Sequence, residues 1–298
     1  MEVQNAQGSS QVRSYLAAMA TVLMWACNTP FTRFLHQYYS PGAIMVLRYS
    51  IASVILIILG IIMKTRLPKK KDLPLCMAFG ACGIFLYMVT LKFGTMYVVA
   101  GVSSFLVASA PVFTIILSRP ILKEVVKPAC WVGVGLSFLG IMVVMFSQTT
   151  DFSLNIGVLL LIGTAFCGSV FSISQRKLVK TYTVLETATY GILTAAILMI
   201  IMFLPDAIRE FPGSTLPYNL AIAYLGAFPT VLAYITWGYA LSKAEKTTHV
   251  TVFLYLVPFI ATIIGFLWLE ETFSLISLFG GIAIIAGVVL TNALGRSK

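Results

Sequence analysis

The chain has 298 residues, 59% of them Ala, Val, Ile, Leu, Met, Phe, Trp, Tyr or Cys, and carries 20 basic against 10 acidic side chains. Water-soluble domains are near a quarter charged, and a chain that is 10% charged lacks the polar surface a folded protein of this size presents to water. A soluble enzyme, a disordered scaffold and a nucleic-acid binder are excluded in spite of the net charge of +10; most of the chain belongs in lipid.

Residues 1–13 are a polar N-terminal tail whose single base is Arg13. The apolar run that follows is about 20 residues long and has no small-residue cleavage pattern, so it is a first spanning helix rather than a removable signal. Cutting the rest wherever charge, Pro or Gly clusters interrupt runs of about 20 apolar residues predicts ten spans, at 14–36, 42–63, 73–94, 98–119, 128–147, 156–177, 184–204, 217–242, 248–268 and 274–294. The expected fold is an all-α membrane protein of ten transmembrane helices with short connectors and no soluble domain. A β-barrel is excluded, because its strands would alternate polar and apolar residues over about 10 positions.

Lys and Arg are retained in cytoplasmic loops. Sixteen of the 20 bases, from Arg13 and the Lys64–Lys71 cluster to Lys298, fall on one side of the ten spans, and three (Arg33, Lys92, Arg209) on the other. Both termini are therefore expected in the cytoplasm and the protein in the inner (plasma) membrane.

The segment Tyr87–Gly140 recurs 147 positions later without a gap, matching Tyr87 to Tyr234, Pro111 to Pro258, Glu124 to Glu271, Gly133 to Gly280 and Gly140 to Gly287. The first two spans of each half align at an offset near 143, which pairs Arg33 with Arg176. Residues 14–147 and 156–294 are thus read as two five-helix repeats. An odd number of spans reverses direction, so the repeats are inverted about an axis in the membrane plane, as alternating access requires.

Ten spans as five plus five, Trp25 with Asn28 in the first, Pro41 seven residues before Arg48, and the doubled unit Pro111, Leu122-Lys123-Glu124, Gly133, Gly140 and Pro258, Leu269-Glu270-Glu271, Gly280, Gly287 resemble the drug/metabolite transporter superfamily, most closely its EamA-type ten-helix branch. The resemblance covers almost the whole chain. It implies a proton- or gradient-driven carrier, or a uniporter, for a small metabolite, in a family whose substrates range over amino acids, nucleobases, quaternary amines and drugs.

An ionisable side chain inside lipid costs about 2.5–3.5 kcal/mol and calls for a reason. Arg48 lies about 9 Å deep from the outer end of its span at 1.5 Å per residue. It is either an anion anchor, its fork of donors suiting a carboxylate, or an arginine that snorkels outward. Arg33 and Lys92 read as interfacial. Glu186 is a helix-start acid or a proton carrier.

Helical spacing puts Thr21, Trp25, Asn28 and Thr32 on one face, and likewise Gly83, Tyr87 and Thr90; Gly168, Ser172 and Gln175; Thr187, Tyr190 and Thr194; and Thr230, Tyr234 and Trp237. Such faces are satisfied in a wet cavity and wasted against lipid. The expected substrate-binding set is Trp25, Asn28, Arg48, Tyr87, Tyr190, Tyr234 and Trp237. Tyr38, Tyr39, Tyr97 and Tyr218, at span ends, read as an interfacial belt.

Pro111 and Pro258 are expected inside spans as bending points. Gly133, Gly135, Gly140, Gly280, Gly281 and Gly287 are expected to let the fifth and tenth spans pack closely, within one protomer or between the two of a homodimer. The five cysteines, with no C-x-x-C pair, read as buried small hydrophobes. No Walker loop, His-Glu-x-x-His or Ser-His-Asp set occurs, so the expectation is no enzyme, no metal and no cofactor. The partners are a small-molecule substrate and the bilayer, with no nucleic acid. The function expected is secondary export of amino acids or related metabolites. The alternatives are a cation-π cage for cationic or aromatic compounds and a non-transport membrane subunit.

Overall fold

The computed structural model describes residues 2–97, 106–107, 109–123, 127–146, 156–269 and 275–295, and among these every regular element is helical. Helix α1 (Glu2–Leu35) takes in the polar N-terminal segment as well as the first apolar run. Residues 2–13, expected as a tail, extend the helix, since propagating a formed helix adds one hydrogen bond for each residue fixed. α2 (Pro41–Ile62) starts where the Ser40 hydroxyl accepts from the Ala43 N–H, with Pro41 in the first turn, where its missing N–H is harmless.

The third apolar run is helical throughout but changes pitch. α3 (Leu73–Met77) passes through a π-helical segment, Ala78–Leu86, into α4 (Tyr87–Tyr97). α5 (Ala110–Leu122), α6 (Pro128–Phe146), α7 (Ile156–Leu178) and α8 (Val184–Glu210) follow. The eighth run repeats the pattern of the third, with α9 (Leu216–Leu225), a π-helical segment Gly226–Leu232 and α10 (Ala233–Lys243). α11 (Thr247–Thr251), a 3-10 turn, α12 (Leu256–Leu269) and α13 (Leu275–Gly295) complete the chain.

Five of these stretches, Pro41–Ile62, Lys70–Thr95, Ile156–Leu178, Val184–Gly213 and Leu216–Lys243, are long and apolar enough to cross a membrane. Large apolar side chains such as Ile61 and Ile201 lie exposed on their outer faces, as a lipid solvent demands. The chain is a multi-pass helical membrane protein.

Two sequence expectations change. Pro111 is in the first turn of α5, where proline's missing donor is tolerated, whereas Pro258 lies, as expected, inside a run that is helical from Thr247 to Leu269, just after its 3-10 turn Val252–Tyr255. Of the four tyrosines assigned to a belt, Tyr39 is buried and directs its hydroxyl to Asn219, while Tyr38 and Phe34 stack on Tyr218 at 5.3 and 4.9 Å. These rings cap one end of the bundle together, whereas Tyr97 is exposed.

The glycines of α6 and α13 join the two helices within one protomer. A methyl group on Gly140 would come within 2.6 Å of the Gly280 carbonyl, and one on Gly287 within 2.5 Å of the Gly133 carbonyl. Between these contacts the Ser137 hydroxyl donates to the Ile284 carbonyl at 3.2 Å. Pairing 133 with 287 and 140 with 280 makes the helices antiparallel. Gly135 has nothing within 4 Å, and Gly281 faces the Phe259 ring. Elsewhere in the bundle α2 packs on α8, α1 on α10 and α12, and α7 on α4 and α5.

Candidate functional site

The middle of the bundle is organised by a proline. Pro229 has no N–H to offer the Leu225 carbonyl, and the π-helical pitch of Gly226–Leu232 hands that carbonyl on to Thr230. The Thr230 hydroxyl also donates to Leu225 O, at 2.8 Å. Its lone pairs then accept from Arg48 Nε at 2.5 Å. A second guanidinium nitrogen of Arg48 donates to Asn28 Oδ1 at 2.7 Å, and its carbon lies 5.6 Å from the centre of the Tyr49 ring. Arg48 is only 5% exposed, too buried for the snorkelling alternative. Both of these partners are neutral, and Asp72, Glu186, Asp206, Glu210 and Glu245 all stand at or near helix ends. Hydrogen bonds to a charged group stabilise by about 1.5–3 kcal/mol each, but they leave the positive charge itself uncompensated.

Beside Arg48 lies an aromatic layer. The Trp25 ring meets Phe171, Tyr234 and Trp237 with centroids 6.2, 6.1 and 5.3 Å away, and its indole N–H donates to the Pro229 carbonyl at 3.0 Å. Phe171 touches Tyr234 and Phe79, both at 5.1 Å. The Tyr234 hydroxyl is 3.1 Å from that of Tyr49. Tyr87 lies against Gly168, where a methyl group would be 3.4 Å from the Tyr87 ring.

Towards the end of α7 that carries Arg176 and Lys177, polar atoms lose their partners. Gln175 Nε2 donates to the Tyr234 carbonyl at 3.0 Å. Gln175 Oε1, Ser172 Oγ and Trp237 Nε1 are buried with no hydrogen-bond partner. An unsatisfied buried group costs about 1–3 kcal/mol, so three in one neighbourhood call for an explanation.

Six of the seven expected site residues, Trp25, Asn28, Arg48, Tyr87, Tyr234 and Trp237, are thereby in this central region. Tyr190 is elsewhere. Its hydroxyl donates to the Arg66 carbonyl at 2.5 Å in the α2–α3 connection, and its ring meets Tyr182 edge-on at 5.4 Å. Glu186 serves this second cluster structurally: it completes the capping box of α8 with Thr183 and accepts from the Arg66 N–H at 2.7 Å. Tyr182 donates to Asp72 at 2.6 Å, and that carboxylate raises the phenol's pKa. At the opposite end Lys92 Nζ is 3.4 Å from His36 Nε2.

Sequence reasoning missed Tyr49, Phe171 and Phe79, since an aromatic in an apolar run carries no mark of depth or direction. It also missed that Cys82 and Cys167 face each other, with sulfurs 3.7 Å apart. No cluster of three or more metal-ligating side chains occurs among the described residues.

A buried cationic and aromatic centre inside lipid-facing helices fits a membrane carrier. A sequence profile of the EamA-like transporter family matches the chain twice, over residues 12–146 and 155–293, and the chain belongs to that family. It is 33% identical over 269 residues to the "Uncharacterized transporter YdfC" of Bacillus subtilis (strain 168), covering 90% of this chain and 87% of the relative. It is 31% identical to the "Probable terminal-alkyne amino-acid exporter" of Streptantibioticus cattleyicolor, over 95% of each chain. A solved crystal structure superposes with a TM-score of 0.78 at 19% identity, over 95% of this chain and 97% of the other, which shows a common fold.

Proposed function

We propose that the protein exports small carboxylate-bearing metabolites, amino acids among them, across the inner (plasma) membrane by alternating access. The observation that carries this reading is Arg48, a buried guanidinium held by Asn28 and Thr230 alone among its described hydrogen-bond partners. A substrate carboxylate would supply the missing counter-charge, with the Trp25, Tyr234 and Trp237 rings against its apolar part. The name of the Streptantibioticus relative favours the same class. A cation-π cage for a cationic drug has the rings it needs, but a fixed positive charge beside them repels such a ligand.

The finer architecture belongs to the same proposal: ten spans as two inverted five-helix repeats, with both termini in the cytoplasm. The double profile match and the antiparallel α6–α13 seam support it. In that seam, Ser137 bonds its own repeat partner, Ile284, the contact expected where two repeats meet beside a two-fold axis. A topology reporter fused after Lys298 should be cytoplasmic and one near Thr150 external; both on one side would refute the inverted arrangement.

Flux in liposomes tests the function. Protein reconstituted with a panel of amino acids, with and without an imposed pH gradient, should accumulate at least one of them. Arg48→Ala should lower apparent affinity by about 10- to 100-fold, the equivalent of a charge-assisted hydrogen bond, and Arg48→Lys should recover only part. Unchanged flux in Arg48→Ala would overturn the carboxylate reading.

A further inference from the structure

Gln175 fixes its own orientation. A carbonyl oxygen only accepts, so the side-chain atom facing the Tyr234 carbonyl must be the amide nitrogen. The amide oxygen is then the atom left buried without a partner. Ser172, one turn earlier on the same face of α7, and Trp237, on the α10 helix that Gln175 grips, are likewise sealed from solvent with Oγ and Nε1 unpaired. One free acceptor, one free donor and one hydroxyl able to do either thus flank α10 at the level of Tyr234 to Trp237. Thr230, which holds Arg48, is four residues before Tyr234, about 6 Å along the helix.

We propose that Gln175, with Ser172, is the subsite for a nitrogen-bearing donor of the substrate, one helical turn beyond the carboxylate site at Arg48. This rests on the carboxylate reading and deepens it: the carrier selects compounds that have both a carboxylate and an amine, and rejects the simple acid. The amide oxygen of Gln175 accepts from the ammonium group. A neutral amide oxygen accepts an N–H without the negative charge by which a carboxylate placed there would compete with the substrate for Arg48. Trp237 donates to a second oxygen of the ligand while its ring remains against Trp25, 5.3 Å away.

The test is equilibrium binding to the full-length protein in lipid nanodiscs. Each proteinogenic amino acid is compared with the carboxylic acid lacking its amino group, starting with phenylalanine and 3-phenylpropanoate because the site is aromatic. The wild type should prefer the amino acid by about tenfold or more, as loss of a hydrogen bond to a charged group requires. Gln175→Met, which keeps the side chain's length and removes the acceptor, should abolish that preference by weakening the amino acid alone. Ser172→Ala, which removes the other free acceptor, is the second variant should Gln175→Met not fold, and should likewise weaken the amino acid alone. Equal weakening of both ligands by Gln175→Met would make Gln175 a structural brace and overturn the proposal. So would no change in either, which would leave the unpaired atoms to bound water, or no amino acid binding to the wild type. Arg48→Ala separates the two readings: it should weaken both ligands, and if it weakens neither while Gln175→Met still removes the preference, the carboxylate site falls and the amine subsite stands.

Discussion

Two regions of the bundle make the same contact and fill it differently. In the third apolar run Gly80, in the π-helical segment before Tyr87, abuts the Gly191 carbonyl and Thr194 of α8. In the eighth, Gly226, in the π-helical segment before Tyr234, abuts the Arg48 carbonyl and Ile51 of α2. Arg48 thus stands in one half where Gly191 stands in the other, at the offset of 143 that also sets Trp25 against Gly168 and Asn28 against Phe171. The rings agree, since Tyr234 leans on Trp25 while Tyr87 lies over Gly168. Backbone contacts are kept in both halves; the charge, the indole and the amide are in one. For the carrier proposed above, a two-sided frame would rock between two facing states while a one-sided site kept its substrate in a single orientation.

The largest effects should come from breaking the backbone contacts that the halves have in common. Adding a methyl to a closely packed backbone costs about 1–3 kcal/mol. Gly133→Ala and Gly140→Ala should each lower the melting temperature in detergent by several degrees, because the methyl would meet the α13 backbone. Gly135→Ala, which opens into empty space, should be neutral or gain about 0.5–1 kcal/mol from helix propensity. Equal melting of Gly133→Ala and Gly135→Ala would remove the α6–α13 seam from the frame. Next in size, Gly80→Ala should cost more than Gly226→Ala. The first meets the Gly191 carbonyl at 2.7 Å and Thr194 Cβ closer still, whereas the second meets the Arg48 carbonyl at 3.0 Å and Ile51 Cγ2 at 2.9 Å, looser contacts throughout. The reverse order would mean that the two contacts are not equivalent.

The helical, membrane-spanning character of the chain was legible because hydropathy averages over some 20 residues, and five of the expected spans are helices long and apolar enough to cross. That Arg48, Trp25 and Asn28 come together was legible because a polar or deep aromatic residue in an apolar run needs a reason to be there. Tyr190 went astray on depth. Spacing with Thr187 and Thr194 gave it a face, but it is only about two turns from the Thr183 cap, and that places it against the α2–α3 connection. The π-helical segments left no periodic signal, as a one-residue change of pitch over nine positions in Ala78–Leu86 disappears in any helical window. Phe171 and Phe79, apolar among apolar residues, gave nothing to separate a layer beside the site from ordinary core.

The smallest expected effect is the sharpest probe of how the halves meet. Tyr49 of α2 and Tyr234 of α10 are joined by their hydroxyls at 3.1 Å, both buried, with one donating and the other accepting. Removing either hydroxyl deletes one bond and leaves its partner dry, a cost of about 1–3 kcal/mol, whereas removing both leaves two ring edges with nothing unsatisfied. Tyr49→Phe and Tyr234→Phe should therefore each destabilise in detergent, and the double variant should cost less than the sum of the two. The coupling should fall in the range of 0.5–3 kcal/mol typical of touching residues. Arg48 keeps its bonds to Thr230 and Asn28 in all three variants, so binding of a carboxylate should change by less than about threefold, well short of the loss expected from Arg48→Ala. Strict additivity would mean that the hydroxyls do not meet in the membrane-embedded protein. A carboxylate affinity that falls with either hydroxyl would instead move these tyrosines from the wall between the halves to the ligand itself.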